Sequence, residues 1–240
     1  MTFRTPGARL LAAAGFARRG RRIADIGTDH AYLPVFLVGG GVSVCAEATD
    51  INRAPLERAA ANIAAAGLSD RITVRLADGL DGVGAFAPED IFILGMGGEL
   101  IASILERAVF LHDPNRKTVC ILQAMTSETD LRRYLAEHGF AVLREVLVKD
   151  KGRIYSLIAC RYDGIVRKMS EAELCVGIYH VLHPDIELFL PYMDRKIRIL
   201  SKKIAQMTDA GLPCEADKDV LCELQRLRET ALRNGIDREN

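Results

Sequence analysis

The chain has 240 residues, of which 49% are hydrophobic and 27% are charged, a composition typical of one globular domain with an appendage or of two small domains. This composition excludes a fibrous or disordered chain. The 32 basic and 32 acidic side chains give a net charge of zero, so charge alone neither requires nor excludes a nucleic-acid partner. The 6 cysteines show no CxxC spacing and lie mostly in apolar runs, so no metal site is expected.

Arginines are concentrated at the N-terminal end, and no acidic residue lies among them before Asp25. They are Arg4, Arg9, Arg18, Arg19, Arg21 and Arg22. One interpretation is a solvated helix face, and the other is a patch that contacts nucleic-acid phosphates. On the second interpretation, Arg18 and Arg22 are candidate substrate-binding residues.

The same end shows no signal peptide and no membrane span, because its apolar stretch, LLAAAGFARRG, is too short and ends in arginines. Cysteines that behave as core residues are typical of a reducing compartment. A cytoplasmic protein with no membrane partner is therefore expected, and we predict a monomer.

Short apolar runs alternate with helical patterns from Arg22 to about Cys160. The predicted strands are, in chain order, RIADIGT, VSVCAEAT, ITVRLA, DIFILGM and TVCILQAM. The predicted helices are APLERAAANIAAAGL, GGELIASILERAVFLH and TSETDLRRYLAEHGF, the last with Thr126 or Thr129 as its N-cap. This alternation predicts βαβ units and a parallel sheet.

The pattern changes after the fifth strand, where AVLREVLVKDKGRIYSLIACRY predicts two strands joined by a turn around KDKG. A parallel sheet that closes with an antiparallel hairpin resembles the α/β, Rossmann-like class I sheet of S-adenosylmethionine-dependent methyltransferases. Two later patterns, DIELFLPYMDRKIRILSKKIAQM and DKDVLCELQRLRETALRNG, predict a C-terminal antiparallel helical hairpin of the coiled-coil type. We therefore predict a methyltransferase domain at residues 1–162 and a helical coiled-coil domain at residues 163–240.

The first helix of this hairpin carries a basic run. Its members are Arg195, Lys196, Arg198, Lys202 and Lys203. A run of this kind is either a solvated helix face or a surface that contacts RNA, and the sequence leaves both interpretations open.

The loop after the first strand, in RRIADIGTDHAYLP, combines a single glycine with several polar residues. In an open α/β sheet the ligand lies beyond the carboxyl ends of the strands, so Asp25, Gly27, Asp29 and His30 are delivered to that edge. The full GxGxxG that cradles a pyrophosphate is absent, and Asp29 stands where a second glycine would be. An acidic loop suits a sulfonium or ammonium cation better than a pyrophosphate, which favours S-adenosylmethionine over a dinucleotide.

The next two strands also end at acidic residues. Asp50 is placed to accept the ribose hydroxyls of a cofactor, with Glu47 as its competitor and a plain helix cap as the alternative. Asp78, followed by Gly79, is placed to bind an adenine ring, although Asp-Gly is also a common turn.

The fourth strand runs into ILGMGGEL, which has three glycines within four residues. Gly95, Met96, Gly97 and Gly98 indicate a close approach of the backbone to a ligand. A phosphate loop is the competing interpretation, but no Gly-Lys-Ser/Thr follows.

These segments together resemble a known family. ADIGTDHAYLP, TDINRAPLERAAANI, ADGL and LGMGG are similar to the bacterial tRNA (adenine-N1)-methyltransferases that modify adenosine 22 in the D-arm, the TrmK family. The resemblance covers nearly all of residues 1–160, and the C-terminal part resembles that family's coiled-coil domain. One departure is LQAM, where the family usually has a proline after the glutamine.

The resemblance implies S-adenosylmethionine as the methyl donor and tRNA as the acceptor. It places Asp25, Gly27 and Asp29 around methionine, Asp50 at the ribose, and Asp78 with Gly79 at the adenine.

The chemistry adds candidates on the acceptor side. N1 of adenine attacks through its own lone pair, so the product ring becomes cationic, and a carboxylate that stabilises this charge contributes ~2–4 kcal/mol where water is excluded. We assign that role to Asp29, with His30 either orienting it or handling the amino proton. The alternative for His30 is a plain hydrogen bond at the start of a helix. A flipped base also needs an apolar or aromatic wall, for which Tyr32, Met96 and Tyr155 are candidates, beside Gly97 and Gly98.

Three other functions stay open at the level of the sequence. They are a methyltransferase acting on another RNA, a protein or a small molecule, an NAD-dependent oxidoreductase, and a tRNA-binding protein without activity. The missing glycines and the terminal hairpin count against the oxidoreductase, and the four cofactor-type loops count against a protein without activity.

Overall fold

The computed structural model describes residues 6–239, so Arg4 of the basic N-terminal run lies outside the described residues. Its centre is a 7-stranded sheet with the strand order β3-β2-β1-β4-β5-β7-β6. The strands are β1 (Arg21–Ile26), β2 (Ser43–Asp50), β3 (Ile72–Leu76), β4 (Asp90–Gly97), β5 (Val119–Thr126), β6 (Phe140–Asp150) and β7 (Arg153–Tyr162). Strands β1 to β5 are parallel and β7 is antiparallel to both neighbours, which confirms the predicted topology.

Helices cover both faces of this sheet. They are α1 (Ala8–Ala14), α2 (Tyr32–Gly39), α3 (Arg53–Ala65), α4 (Gly98–Arg107) and α5 (Glu128–Glu137). Alternating side chains of β1 point to opposite faces, so Ile23 packs with α2 and α3 while Ala24 and Ile26 pack with α4 and α5. Because both faces are covered, the central strands are apolar nearly throughout.

The structure differs from the sequence prediction around two helices. Helix α2 follows the first loop directly and was not predicted, because the eight residues YLPVFLVG are apolar on all sides. For α5, neither Thr126 nor Thr129 is the N-cap. Ser127 precedes the helix with a positive φ of 54° and makes no side-chain capping bond. The predicted hairpin turn is confirmed, with positive φ at Lys151 and Gly152.

The C-terminal part is entirely helical. Its helices are α6 (Glu171–Val176), α7 (Ile178–Leu182), α8 (Ile186–Asp209) and α9 (Glu215–Glu239). Helices α8 and α9 pack against each other as the predicted hairpin, through an apolar cluster that includes Met193, Leu224 and Ala231. Leu147 of β6 belongs to the same cluster, so the hairpin is seated on the β6–β7 edge of the sheet. The division at residue 162 stays a prediction.

A buried polar network joins the two parts beneath this cluster. Arg132 of α5 donates to Glu145 of β6 from Nε, at 2.9 Å, and from Nη2, at 2.7 Å. It also donates to the carbonyl oxygen of Leu174 at 3.0 Å and to the hydroxyl of Tyr192 in α8 at 3.3 Å. Burial raises the pKa of Glu145, but the charge of Arg132, the contact with His180 and the hydrogen bond from Ser156 together outweigh burial, and the net effect is a pKa well below the usual range. The ionised pair therefore connects α5, β6, α6 and α8.

Candidate functional site

The carboxyl end of β1 presents a buried carboxylate to the edge of the sheet. Asp25 is 9% exposed, and burial raises its pKa to about 6, opposed by a hydrogen bond with the Thr28 side chain. Gly27 then turns the chain with φ of 75°, in the region that favours glycine. A buried carboxylate without a cationic partner in the described residues is suited to receive a cation from a ligand.

The rest of this loop forms a polar cluster with α3. The Asp29 carboxylate accepts a hydrogen bond from Arg58 Nε at 3.2 Å and lies 3.3 Å from His30 Nε2. Asn62, one helical turn beyond Arg58, donates to the carbonyl oxygen of His30 at 3.0 Å. The His30 ring stacks on Tyr32 with ring centroids 5.0 Å apart. The structure thus brings together the predicted Asp29, His30 and Tyr32.

Asp50 and Glu47 occupy different places on β2. Asp50 lies at the carboxyl end, where one carboxylate oxygen accepts the backbone N–H of Asn52 at 2.7 Å. Glu47 lies within the strand, is 3% exposed, and accepts hydrogen bonds from Arg75 on β3. Asp50 therefore retains an oxygen toward the edge of the sheet, whereas Glu47 serves the contact between β2 and β3. This geometry favours Asp50 as the ribose ligand.

The loop after β3 is held by Arg107, which the sequence analysis did not identify as a site residue. Arg107, at the end of α4, donates to both carboxylate oxygens of Asp78, at 2.9 and 3.1 Å. These hydrogen bonds lower the pKa of Asp78. Gly79 has φ of 60°, and a Cβ there would lie 2.9 Å from the Ile104 side chain. Asp78 lies at the predicted edge, and its role at an adenine ring stays a prediction.

The glycine-rich loop after β4 packs closely against the loop after β1 and the loop after β5. The Met96 methyl group lies over Gly27, since a Cβ on Gly27 would be 2.2 Å from Met96 Cε. Gly98 is buried, and a Cβ there would be 2.1 Å from the backbone oxygen of Ser127. Gly98 therefore allows α4 to pack against the loop after β5. This packing alone explains its glycine, and its predicted role in substrate binding is not tested.

Arg9 of α1 is a further cationic side chain that reaches the carboxyl edge of the sheet. Arg9 Nη1 lies 3.4 Å from the position of a Cβ on Gly95 and forms a hydrogen bond with the buried Gln123 side chain. Its guanidinium lies over the Tyr155 ring, 5.6 Å from the centroid. Strand β5 extends past Gln123 to Thr126, without the proline usual in the family, and its register with β4 is irregular from Gln123 onward. Arg9 and Gln123 were not predicted site residues, because their contact joins positions far apart in sequence.

Arg18 and Arg22 lie at the opposite, amino edge of the sheet. The Arg18 guanidinium forms an ion pair with Asp90, a fully buried residue at the start of β4. Arg22 lies near the start of β1, about 13 Å of strand before Ile26. The structure does not bring these arginines to the carboxyl edge, and contact with RNA there stays a prediction.

These features test the fit of S-adenosylmethionine. The buried Asp25 suits a positively charged group, Asp50 suits a ribose, and the turn at Gly27 allows close approach of the chain. Neither the loop after β1 nor the loop after β4 carries the GxGxxG sequence that cradles a pyrophosphate. The residues present therefore fit a cationic cofactor without phosphates.

Among residues 6–239, no group of three or more histidine, cysteine, aspartate or glutamate side chains is placed to hold a metal ion. No helix in that range has the length and apolarity needed to cross a membrane.

Comparison with known proteins gives consistent matches. Residues 7–158 match a methyltransferase-domain family. The tRNA (adenine(22)-N(1))-methyltransferase of Bacillus subtilis is 34% identical over 164 residues, which cover 65% of this chain and 68% of the relative.

Solved structures show the same likeness. Streptococcus pneumoniae Sp1610 in complex with S-adenosyl-L-methionine has a TM-score of 0.75 and 29% identity, and the match covers 95% of this chain and 100% of that one. Mycoplasma capricolum TrmK in complex with the cofactor product S-adenosyl-homocysteine has a TM-score of 0.76 and 25% identity, covering 95% of this chain and 98% of that one.

Proposed function

This chain belongs to the tRNA (adenine(22)-N(1))-methyltransferase family, and on that premise we propose how its residues methylate N1 of adenosine 22 in tRNA. S-adenosylmethionine supplies the methyl group. The observation that carries the assignment to particular residues is the meeting of the first, second and fourth loops at one edge of the sheet.

The donor side is formed by residues at the carboxyl ends of β1 and β2. Asp25 holds the cationic end of the cofactor, because its carboxylate is buried and has no cationic partner within the described chain. Asp50 accepts the ribose hydroxyls with the oxygen that Asn52 leaves unused. Gly27 and Met96, which are in contact, border the space between these acids and the acceptor.

The acceptor side is formed by the polar cluster at α3. Tyr32, stacked on His30, provides an aromatic surface for the flipped base. Asp29 stabilises the positive charge that develops on the ring, and Arg58 and His30 fix the direction of its carboxylate. Asn62 holds the loop through the His30 carbonyl oxygen.

The direct test is incubation with labelled S-adenosylmethionine and unmodified tRNA, followed by nucleoside analysis. We expect 1-methyladenosine, and none with a matched tRNA that has guanosine at position 22. A product from both tRNAs would contradict the choice of nucleotide. No 1-methyladenosine from either would contradict the function itself.

The pH dependence of cofactor binding tests Asp25. Its pKa is about 6 in the cofactor-free protein, and a bound cation favours the ionised carboxylate, so binding below that pH must release a proton. We therefore expect the affinity to fall about tenfold per pH unit below pH ~6 and to level off above it. Calorimetric titrations between about pH 5 and about pH 8 measure this.

Two variants test whether Asp25 causes this pH dependence of cofactor binding. Asp25→Asn removes the ionisable group, so its weaker binding should not change with pH. Asp70→Asn changes an exposed acid before β3 and should keep the wild-type profile. A wild-type affinity that stays flat below pH ~6 would show that Asp25 does not face the cation.

We also propose that the enzyme acts as a monomer in the cytoplasm. A cytoplasmic location places it with its tRNA substrate. Sedimentation of the full chain measures its oligomeric state.

A further inference from the structure

A cavity of about 270 Å³ lies between the sheet and the helical hairpin. Its walls are the loop after β5, the start of β7 and the face of α8 that includes Arg195 and Ile199. Ser127, on the β5 side, has its backbone oxygen against Gly98, and Tyr155, on the β7 side, lies under the Arg9 guanidinium. The cavity therefore borders the glycine-rich loop and Arg9 of the candidate site.

Only some of the charged groups in this cavity are paired with another described residue. Lys196 donates to Glu128 at 2.7 Å, and the Tyr192 hydroxyl donates to the same carboxylate oxygen at 2.7 Å. Burial raises the pKa of Glu128, but the charges of Lys196 and Arg132 outweigh it and lower the pKa overall. Glu128 and Lys196 thus neutralise each other and join α5 to α8.

The remaining cations of the cavity have no partner among the described residues. Arg153 and Arg195 line the cavity, both are exposed, and neither guanidinium forms a hydrogen bond or an ion pair with any described residue. Many other arginines among residues 6–239 are paired, including Arg58, Arg107 and Arg132. The cavity therefore carries two uncompensated positive charges beside a neutral pair, an arrangement that attracts an anion.

The position of the cavity indicates which anion it binds. N1 of adenine lies on the pairing edge of the base, so the enzyme must hold the target nucleotide out of its helix. The backbone next to a flipped nucleotide needs ligands of its own, and arginine is well suited to phosphate. β7 lies two strands from β4, ~10 Å along the sheet, so a neighbouring phosphate lies within its reach.

We propose that this cavity binds a backbone phosphate of the substrate RNA, next to the flipped adenosine, with Arg153 and Arg195 as its ligands. This inference rests on the proposed function. It adds one RNA contact from the sheet and one from the helical hairpin. It also gives the helical hairpin a part at the site, because Arg195 belongs to α8 and Arg153 to the sheet.

The test is the double variant Arg153→Gln/Arg195→Gln, with Arg71→Gln/Arg161→Gln as the control that removes the same charge. Arg71 and Arg161 lie at the amino edge of the sheet, away from the cavity. The readouts are filter binding of unmodified tRNA over a salt series, KM and kcat for methylation, and calorimetric affinity for S-adenosylmethionine.

We expect the cavity variant to lose about tenfold or more in tRNA affinity and to have a shallower salt dependence, by ~1 in slope. KM for tRNA should rise while the affinity for S-adenosylmethionine stays unchanged. Equal tRNA binding by the two double variants would overturn the proposal. Filter binding does not need turnover, so a wild type that binds tRNA without methylating it would contradict the proposed function alone.

Discussion

Arg132→Ala is expected to lower the free energy of unfolding by about 3–5 kcal/mol, the usual effect of removing one partner of a buried ion pair. The Arg132 and Glu145 side chains are 3% and 2% exposed. The truncation leaves Glu145 charged in the interior and removes the hydrogen-bond donor to the Leu174 carbonyl oxygen. Chemical denaturation of the purified variant measures the change.

Arg133→Ala is the matched control, because Arg133 is the next residue of α5. Its side chain is 34% exposed and is paired with Glu171 on the surface. Such pairs contribute ~0–1 kcal/mol, so this variant should remain close to the wild type. Equal losses from the two truncations would show that the buried network does not hold the two parts together.

The double variant Arg132→Met/Glu145→Met separates two causes of the loss. Apolar residues of similar volume leave no charge without a partner in the interior, and such replacements are often neutral. We expect it to recover much of the stability lost in Arg132→Ala.

The pKa of Glu145 is lowered in the folded state, so the ionised pair contributes fully above the unfolded pKa, ~4.3, and its contribution declines as the pH falls below that value.

Asp29→Asn is expected to lower the turnover number by ~10²-fold, corresponding to the loss of one preorganised electrostatic contact with the transition state. The substitution keeps the shape of the side chain but removes the charge that would stabilise the cationic product ring. Cofactor affinity should change little, because Asp25 rather than Asp29 is the buried acid at the donor side. Single-turnover methylation and calorimetric binding, measured separately, provide the two readouts.

A second variant separates the effect of the Asp29 charge from the effect of the direction in which the Asp29 carboxylate points. Arg58→Gln leaves the Asp29 charge intact but removes its hydrogen-bond donor from α3. A loss of turnover in Asp29→Asn with little loss in Arg58→Gln would indicate that the charge itself matters. Full turnover in Asp29→Asn would exclude Asp29 from the chemistry and leave His30 as the remaining candidate. Asp70→Asn again controls for net charge.

The fold was largely predictable because its signals are local. Each predicted strand is a short apolar run, and each run ends near a glycine or an acid that interrupts it. The terminal hairpin follows from the Lys151–Gly152 turn. Helix α2 was not predicted, because a short segment that is apolar on all sides has no helical periodicity to detect.

The acids of the site were predictable for the same reason, and their partners were not. Asp29 and Asp78 stand just beyond a strand and Asp50 is the last residue of one, so sequence order fixes their place. Their neighbours come from other elements through long side chains: Arg58 reaches Asp29 from α3, and Arg107 reaches Asp78 from the end of α4. Pairs of this kind leave no periodic signal, because only packing decides which cation meets which acid.

The sequence by itself determined the parallel core of the sheet, the loops that carry the candidate cofactor acids, and the helical C-terminal hairpin. Only the tertiary structure decided that Glu47 is buried against Arg75, that Arg18 is paired with Asp90 at the far edge, and that Arg132 joins the two parts. The physical reason is distance along the chain. Backbone geometry and apolar periodicity act over a few residues, whereas ion pairs and buried contacts form between segments that folding brings together.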